Sequence, residues 1–347
     1  MKLVTFEIAT PLGAQRRLGA LIDDDQDGRV VDLTLAFAAF LREETDETMP
    51  EEVAQLRTPP DMIGWLRGGH KSREAAERAL VFARDRLAKG KAPYVFSRSR
   101  VRLLSPLPRP NTFRDFSTYE EHGSRRDGDD PAVRRRKPPN WYRWPPYYKG
   151  NPESIYGPED PIPYVYYTNK LDLEPELGIV IGRQGRNLSF DDARKAIAGY
   201  TIIIDCSDRG AALRDTLGPA KSKDFATMVG PCLVTADEIE ATNLRVRVIV
   251  DDEVWFEGNT NLPRSFDPHH LVAYASDNET LKPGDLLGTG TIGTGCSLDL
   301  HKWVQVGQTV TVEVEGIGRM RHVIVPGEHV VDYVGSGMEG LLKPQSP

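Results

Sequence analysis

Three acidic residues stand close together between positions 171 and 178. Glu174 and Glu176 are two positions apart, so an extended chain places both carboxylates on one face, where Asp172 also falls. Neighbouring carboxylates repel each other unless one takes up a proton or a cation binds between them. Such oxygen ligands suit Mg²⁺, Ca²⁺ or Mn²⁺. The segment therefore predicts either a site for a divalent cation or a solvated acidic strand face.

A further carboxylate follows an apolar stretch. Residues 201–204 predict a buried strand, and Asp205 stands at its end, where an unpaired carboxylate is costly. Arg209 lies four positions further along, and Lys223 follows in the next loop. These cations indicate either plain ion pairs with the carboxylates or anion-binding groups beside a metal site.

A candidate base precedes these segments. Residues 113–123 have helical periodicity, and Asp115 and His122 are seven positions apart within them, which predicts that the two share one face of a helix. Histidine suits proton abstraction near neutral pH. A lone histidine beside a carboxylate is more often structural, so the spacing alone does not assign a role.

The length and composition of the chain limit the kind of fold that can position these residues. The chain has 347 residues with 44 basic and 51 acidic side chains, a net charge of −7, and 39% hydrophobic residues. A sizeable core is therefore expected, in roughly two domains, and the acidic balance argues against a nucleic-acid partner. None of the three cysteines forms a CxxC pair, so cysteine spacing indicates no disulfide framework or thiolate zinc site.

No apolar run approaches the ~20 residues that a membrane span needs. The N-terminus is too polar for a signal peptide. The sequence therefore predicts a cytoplasmic protein with no membrane partner.

Residues 1–104 predict a small N-terminal α+β domain. A hairpin with a turn at 11–13 is followed by helical periodicity near 35–41 and 75–83. A proline-rich connection at 105–110 marks the boundary with a second domain, which covers 105–347.

The second domain is predicted to be rich in short strands. Strands are expected at 177–181, 200–204, 244–250 and 310–314, with short helices near 191–198 and 268–276. This pattern favours a mixed sheet sandwich or roll within an α+β fold.

The segment 124–163 separates the candidate base from the acidic strand. Its charged stretch and the basic run at 134–137 indicate a solvated loop or, alternatively, an electropositive rim for an anionic substrate. The aromatic residues at 140–148 are expected to pack on the core, a partner or a ligand. The loop is predicted to cover the pocket.

Taken in order, these segments resemble the fumarylacetoacetate hydrolase superfamily over roughly residues 105–325. The spacing of Asp115 and His122 resembles the fumarylacetoacetate hydrolase branch itself. The matching strings are 113–116 with His122, 139–141, 147–150, 170–176, 199–201, 205–209, 223–227 with 230–231, and 288–293.

The resemblance implies a mixed β-sandwich roll after a small N-terminal β-containing domain, a homodimer, and bound Mg²⁺, with Ca²⁺ or Mn²⁺ as alternatives. It implies His122 as general base, with Arg209 and Lys223 as further catalytic groups that also bind substrate oxygens. The remaining implied roles are metal ligation by Asp115, Glu174, Glu176 and Asp205 and substrate binding by Tyr148 and Thr291.

Two departures from the family pattern concern the base. Residues 293–297 replace a Gly-Pro-Glu-Pro-Glu stretch, and the third residue after His122 is Arg125, where many shorter members have glutamate. The glutamate that orients the histidine in the family is not identifiable from the sequence, and Glu120 or Glu121 is the alternative. How the histidine is activated is therefore left open.

The predicted function is a metal-dependent hydrolase that cleaves a carbon–carbon bond in a β-diketone or acylpyruvate-like acid. A lyase on the same scaffold, either a β-keto acid decarboxylase or a keto-acid hydratase or dehydratase, is the main alternative. A binding protein with a degenerate site is a third. The expected partner is a small keto or diketo acid.

Overall fold

The computed structural model describes residues 1–23, 28–124, 136–165, 168–210, 215, 218–261 and 266–328. Several sequence predictions lie wholly or partly outside this range. They are Arg125, the rest of the charged stretch up to residue 130, and half of the basic run at 134–137.

Strands dominate the described part of the chain. They are β1 (Lys2–Thr10), β2 (Gly13–Leu21), β3 (Arg29–Asp32), β4 (Val95–Ser97), β5 (Val101–Leu104), β6 (Phe113–Phe116), β7 (Tyr147–Gly150), β8 (Ile155–Tyr156), β9 (Ile162–Tyr164), β10 (Leu171–Ile181), β11 (Ile197–Asp208), β12 (Thr227–Thr235), β13 (Arg245–Val250), β14 (Glu253–Asn259), β15 (Leu286–Gly288), β16 (Thr309–Val314) and β17 (Gly318–Pro326).

Four of the seven α-helices in the described ranges lie between residues 33 and 88. The seven are α1 (Leu33–Glu44), α2 (Pro50–Arg57), α3 (Met62–Arg67), α4 (Gly69–Ala88), α5 (Phe190–Ala196), α6 (Pro268–Ala275) and α7 (Ser297–Leu300). Local chemistry fixes their starts: the Asp32 carboxylate accepts the Leu35 N–H at 3.0 Å ahead of α1, and Ser189 caps α5 in the same way.

The strands form two sheets. The larger has the order β4-β3-β2-β1-β12-β11-β10-β15-β6-β7, with β5 also paired to β1 and β8 to β12. The smaller has the order β14-β13-β16-β17-β9. The long strands β10 and β11 lie side by side in the middle of the larger sheet, and every residue of β10 is buried.

Alternate residues of the central strands serve two apolar cores. Ile202 and Ile204 belong to the core shared with Val246 and Val312 of the smaller sheet. Ile203 belongs to the other core, shared with α1 and α4. The larger sheet is therefore covered by the smaller sheet on one face and by the N-terminal helices on the other, which explains why β11 carries apolar residues on both faces from Ile202 to Ile204.

The predicted fold class is confirmed, since the chain mixes helices with two packed sheets and carries strands at its N-terminus. The predicted hairpin, the two N-terminal helices and the helix after residue 189 are all present. The division into 1–104 and 105–347 stays a prediction. Across that boundary β1 pairs with β12, with Lys2 opposite Val234.

The predicted helix over residues 113–123 is wrong. Residues 113–116 form β6, which pairs in parallel with β15 and antiparallel with β7, and the chain then continues without regular secondary structure to His122. Phe113 and Phe116 are buried as strand residues between two partners, so sheet pairing overrides the helical spacing.

Candidate functional site

Four adjacent strands of the larger sheet bring the predicted acidic residues together. Glu174 on β10 lies opposite Asp205 on β11. On the other side β10 pairs with β15, and Gly288 at the end of β15 lies opposite Asp115 on β6. Residues far apart in sequence thus meet because the register of these strands is fixed by their buried apolar neighbours.

Asp115, Glu176 and Asp205, hereafter the carboxylate triad, offer oxygen atoms within 4.8 Å of one another, and all three are buried. Asp115 Oδ1 and Asp205 Oδ1 have no hydrogen-bond partner in the described part of the chain. Among the other oxygens, Glu176 Oε2 accepts the Gly290 N–H at 3.0 Å.

Electrostatics make the carboxylate triad unfavourable without a cation. Burial raises the pKa of Asp115 well above its usual value, and the charges of Glu176 and Asp205 add to this. Burial also raises the pKa of Glu176 to about 8. Orphaned oxygens in a buried, oxygen-only donor set therefore fit a hard divalent cation.

The packing of Gly288 leaves this space open. A Cβ atom at position 288 would lie 2.5 Å from Asp115 Oδ1 and would also clash with Glu176. Asp115 and Glu176 can therefore approach each other at the end of β15 only because residue 288 has no side chain.

Glu174, the fourth predicted ligand, is the centre of an ion-pair network with Lys223, Arg209, His122 and Asp299. Its carboxylate pairs with Lys223 and Arg209, and His122 Nε2 lies 3.2 Å from Glu174 Oε1. Burial alone would raise the pKa of Glu174, but Arg209 and Lys223 hold it well below the usual range. The structure thus brings three predicted ligands together and gives Glu174 protein partners.

Lys223 connects the ion-pair network with the carboxylate triad. Its buried ammonium pairs with both Glu174 and Asp205 and donates to Ser207 Oγ at 2.7 Å. Tyr148 OH donates to Asp205 Oδ2 at 2.9 Å. The predicted cation and tyrosine therefore both contact a predicted metal ligand.

Arg209 is held against the acidic strand from the other side. Its Nε donates to Asp172 Oδ2 at 2.8 Å, and Asp172 Oδ1 accepts the backbone N–H of Leu298 at 3.1 Å. Asp172 therefore orients the guanidinium and anchors α7, which is the role of an ion-pair partner.

The structure supplies the carboxylate that the sequence did not reveal. His122 Nδ1 lies 2.8 Å from Asp299 Oδ2, and Asp299 Oδ1 accepts the Gly123 N–H at 2.9 Å. Burial would raise the pKa of Asp299, but the hydrogen bond with His122 lowers it. Asp299 lies in α7, just after the departure at 293–297, and that departure was the one sequence signal that pointed to this region.

These side chains surround a cavity of about 330 Å³. Two larger cavities, of about 620 and 870 Å³, contain none of the predicted site residues. The cavity of about 330 Å³ is also lined by Tyr148 and Thr291, the two predicted substrate-binding residues outside the charged set. Its lining comprises Asp115, Phe116, Ser117, His122, Pro146, Tyr147, Tyr148, Glu174, Glu176, Arg209, Pro219, Lys223 and Thr291.

Buried carboxylates, cationic groups and a histidine–aspartate pair surround one small cavity, an arrangement whose chemistry suits a divalent cation and an organic acid. Residues 111–325 match the fumarylacetoacetate (FAA) hydrolase C-terminal family, and the chain belongs to that family. The predicted resemblance is confirmed.

Relatives within this family differ in the reactions they are named for. An oxaloacetate tautomerase of Xenopus laevis, a mitochondrial protein, is 30% identical over 260 residues, which cover 73% of this chain and 76% of the relative.

Two solved structures have the same fold. The maleylpyruvate hydrolase of Sphingobium sp. SYK-6, solved with manganese(II) and pyruvate, is 25% identical with a TM-score of 0.66, covering 94% of this chain and 100% of that one. The fumarylacetoacetate hydrolase of Exiguobacterium antarcticum is 22% identical with a TM-score of 0.64, covering 93% and 99%. No helix in the described ranges combines the length and apolar composition that crossing a bilayer requires.

Proposed function

We propose that this protein is a metal-dependent hydrolase that cleaves a carbon–carbon bond in an acylpyruvate-type or other β-diketo acid. Support comes from the family, from the carboxylate triad, and from the pairing of His122 with Asp299. The maleylpyruvate hydrolase with manganese(II) and pyruvate supports both the class of ion and the class of substrate.

The carboxylate triad would hold the cation, with Glu174 beside it as a fourth ligand. The two orphaned oxygens and the raised pKa of Glu176 support this assignment. When bound, a divalent cation polarises a substrate carbonyl and stabilises negative charge on the adjacent oxygen. Mg²⁺ is the proposed ion, with Mn²⁺ and Ca²⁺ as alternatives, because all have a preference for oxygen donors.

His122 acts as the general base. In the neutral ring that acts as base, Asp299 accepts a hydrogen bond from the Nδ1–H, which leaves Nε2, beside Glu174 Oε1 at 3.2 Å, as the basic nitrogen. Nε2 takes a proton from water, and the water oxygen attacks the acyl carbonyl carbon. The carbon–carbon bond then breaks with its electron pair on the departing fragment, which takes up a proton.

Arg209 and Lys223 bind the substrate's anionic oxygens. Both line the cavity, both are permanently charged there, and charge-assisted hydrogen bonds to carboxylates are the stronger kind. Tyr148 and Thr291 complete the wall and are proposed to contact the substrate directly.

The observation that carries the hydrolase assignment is the 2.8 Å contact between His122 and Asp299. Hydrolysis needs an activated water, and a paired histidine at the cavity wall supplies a base for it, whereas a metal-assisted decarboxylation needs no such base.

Isotopically labelled water tests the proposal. The purified protein with added Mg²⁺ or Mn²⁺ is given acylpyruvates, diketo sugar acids and oxaloacetate, and the products are examined by mass spectrometry. Entry of heavy oxygen into a product carboxylate supports hydrolysis. Turnover that releases carbon dioxide, or returns the substrate with only exchanged protons, contradicts it.

A lyase or tautomerase acting on a β-keto acid is the second candidate. The 30% identical relative is named an oxaloacetate tautomerase, and this favours a four-carbon keto acid as substrate. Oxaloacetate is in the substrate panel for this reason. A homodimer and a cytoplasmic location stay predictions.

A further inference from the structure

A second cavity, of about 870 Å³, has no lining residue in common with the candidate active site. It lies where α3 and the start of α4 meet the beginning of β11 and the loops that follow β10 and precede β15. Its volume is within the range of pockets that enclose small organic molecules. The proposed function does not use this cavity.

The charged residues of this cavity, hereafter the basic cavity, all have the same sign. Its lining includes five arginine and lysine residues and one histidine but no aspartate or glutamate, although acidic residues outnumber basic ones in the whole chain. Walls of low polarisability that carry one sign of charge concentrate the potential inside a cleft, which attracts anions. The basic residues of the lining are Arg67, His70, Arg73, Arg183, Lys195 and Lys282.

Three of these cations have no acidic partner among the described residues. Arg73 and Lys195 are already paired with carboxylates at the surface. The exposed side chains of Arg67, Arg183 and Lys282 make no ion pair within the described ranges. They come from α3, from the loop after β10 and from the turn before β15, so three separate segments supply unpaired positive charge to one cavity.

The N-terminus of α4 adds to this positive potential. Gly69 and His70, the first two residues of the helix, are in the lining, no side chain caps the helix, and its first turn has no acidic residue. The first N–H groups of a helix have no intrahelical partner and carry partial positive charge, which favours phosphate. Leu66, Ile197 and Pro283 supply apolar surface for the carbon skeleton of a ligand.

We propose that the basic cavity binds an organic phosphate, that is, a phosphoryl dianion on a partly apolar carbon skeleton. Arg67, Arg183 and Lys282 pair with the phosphoryl group, whose charge of about −2 and three acceptor oxygens match three unpaired cations better than a single carboxylate does. Binding requires neither the divalent cation nor turnover of a substrate, because the two cavities share no residue.

Calorimetric titration of the Mg²⁺-loaded protein with adenosine monophosphate tests this proposal. This probe has a phosphoryl dianion and an apolar ring and chelates Mg²⁺ only weakly, and one molecule is expected to bind per chain. Replacing Arg183 and Lys282 together by methionine should raise the dissociation constant at least about tenfold, as charge-assisted hydrogen bonds are lost. Arg67→Met, on a separate segment, should also raise it. All three side chains are exposed, so these changes leave the core intact.

The matched control replaces Arg16 and Lys91 by methionine. These residues are also exposed, lie outside the basic cavity, and give the same loss of net charge. The control should bind adenosine monophosphate as tightly as the unaltered protein does. Equal weakening in both double variants, no saturable binding to the unaltered protein, or tighter binding of succinate, a dicarboxylate, would each overturn the proposal.

A further variant separates the basic cavity from the candidate active site. Glu176→Gln changes the carboxylate triad and should keep the affinity for adenosine monophosphate. Loss of binding in this variant would place the probe in the catalytic cavity and contradict the proposal. Since these titrations involve no turnover, failure of the proposed function would leave their results unchanged.

Discussion

Glu174 and Glu176 lie two positions apart on β10, yet their surroundings act on them in opposite directions. Glu176 belongs to the carboxylate triad, where burial raises its pKa to about 8. Glu174 belongs to the ion-pair network, where Arg209 and Lys223 outweigh the effect of burial and lower its pKa. The charges of the ion-pair network are therefore balanced by protein partners. The carboxylate triad keeps oxygens without hydrogen-bond partners among the described residues.

Removal of the proposed base, His122, should have the largest effect on the rate of the reaction. His122→Ala should lower kcat by about 10²–10⁴-fold, the range for loss of a well-placed general base. Metal binding should be kept, because the carboxylate triad does not include His122. Kinetics and calorimetric titration with Mg²⁺ measure the two properties separately. A variant with a near-normal rate would contradict the assignment of the base.

Removal of the Lys223 ammonium, which pairs with Glu174 in the ion-pair network and with Asp205 in the carboxylate triad, should lower the stability of the protein most. Lys223→Met leaves Glu174 and Asp205 without their buried ammonium, and the loss of one partner of a buried pair costs about 3–5 kcal/mol. Urea unfolding in a chelator measures the change in the free energy of unfolding. Lys91→Met, at an exposed lysine, is the control and should change it little. Equal stability of the two variants would show that the Lys223 contacts carry no energy.

Metal binding should stabilise the protein through the carboxylate triad. Mg²⁺ at a hundred times its dissociation constant should raise the free energy of unfolding by about 2.7 kcal/mol. Glu176→Gln should lose most of this gain, and Glu52→Gln, at an exposed glutamate, should keep it. Thermal unfolding with and without Mg²⁺ provides the measurement. Equal stabilisation of both variants would place the ion elsewhere.

Asp299 should act through the orientation of His122. Asp299→Asn is expected to lower kcat by about 10- to 100-fold, as for other partners that orient a functional histidine, with little change in KM. Asp299→Glu should restore part of the rate, and Asp46→Asn, at an exposed aspartate, should have no effect. A shifted pH–rate profile in Asp299→Asn would separate a positioning role from a purely structural one.

His322 shows what burial does when the nearby charge, that of Asp160, is too weak to offset it. Its Nδ1–H donates to the Asp160 carbonyl at 2.7 Å, Nε2 has no partner among the described residues, and burial lowers the pKa from 6.5 to about 4. The folded state therefore binds fewer protons than the unfolded state. The contribution of neutral His322 to the free energy of unfolding is complete above pH 6.5 and is lost as the pH falls towards 4.

Between pH 7 and pH 5 the loss amounts to about 2 kcal/mol. Urea unfolding at both values should show a smaller loss in His322→Gln than in the unaltered protein. His70→Gln, at an exposed histidine, should behave like the unaltered protein. If His322→Gln lost as much stability as the unaltered protein, His322 would not be the group that responds.

The sequence predicted strands that lie in β10, β11, β13 and β16, because apolar runs such as 201–204 reflect local geometry, but it did not predict β12, β14 or β17. The helix over 113–123 was wrong, because sheet pairing of β6 is a long-range interaction that local periodicity does not contain. Asp299 was missed for a similar reason. It is a single acidic residue in a four-residue helix, 177 positions from His122, and only the fold brings the two together.

Position 288 shows that a residue can contribute to the site by having no side chain. Glycine there lets two strands end close enough for Asp115 and Glu176 to approach each other, and an added methyl group would occupy that volume. Alanine at this position would remove no charge and no donor atom, yet its methyl group would overlap the Asp115 and Glu176 carboxylates, which would have to shift. A search that scored only the acidic residues would accept such a chain as intact, although the positions of its donor atoms would differ.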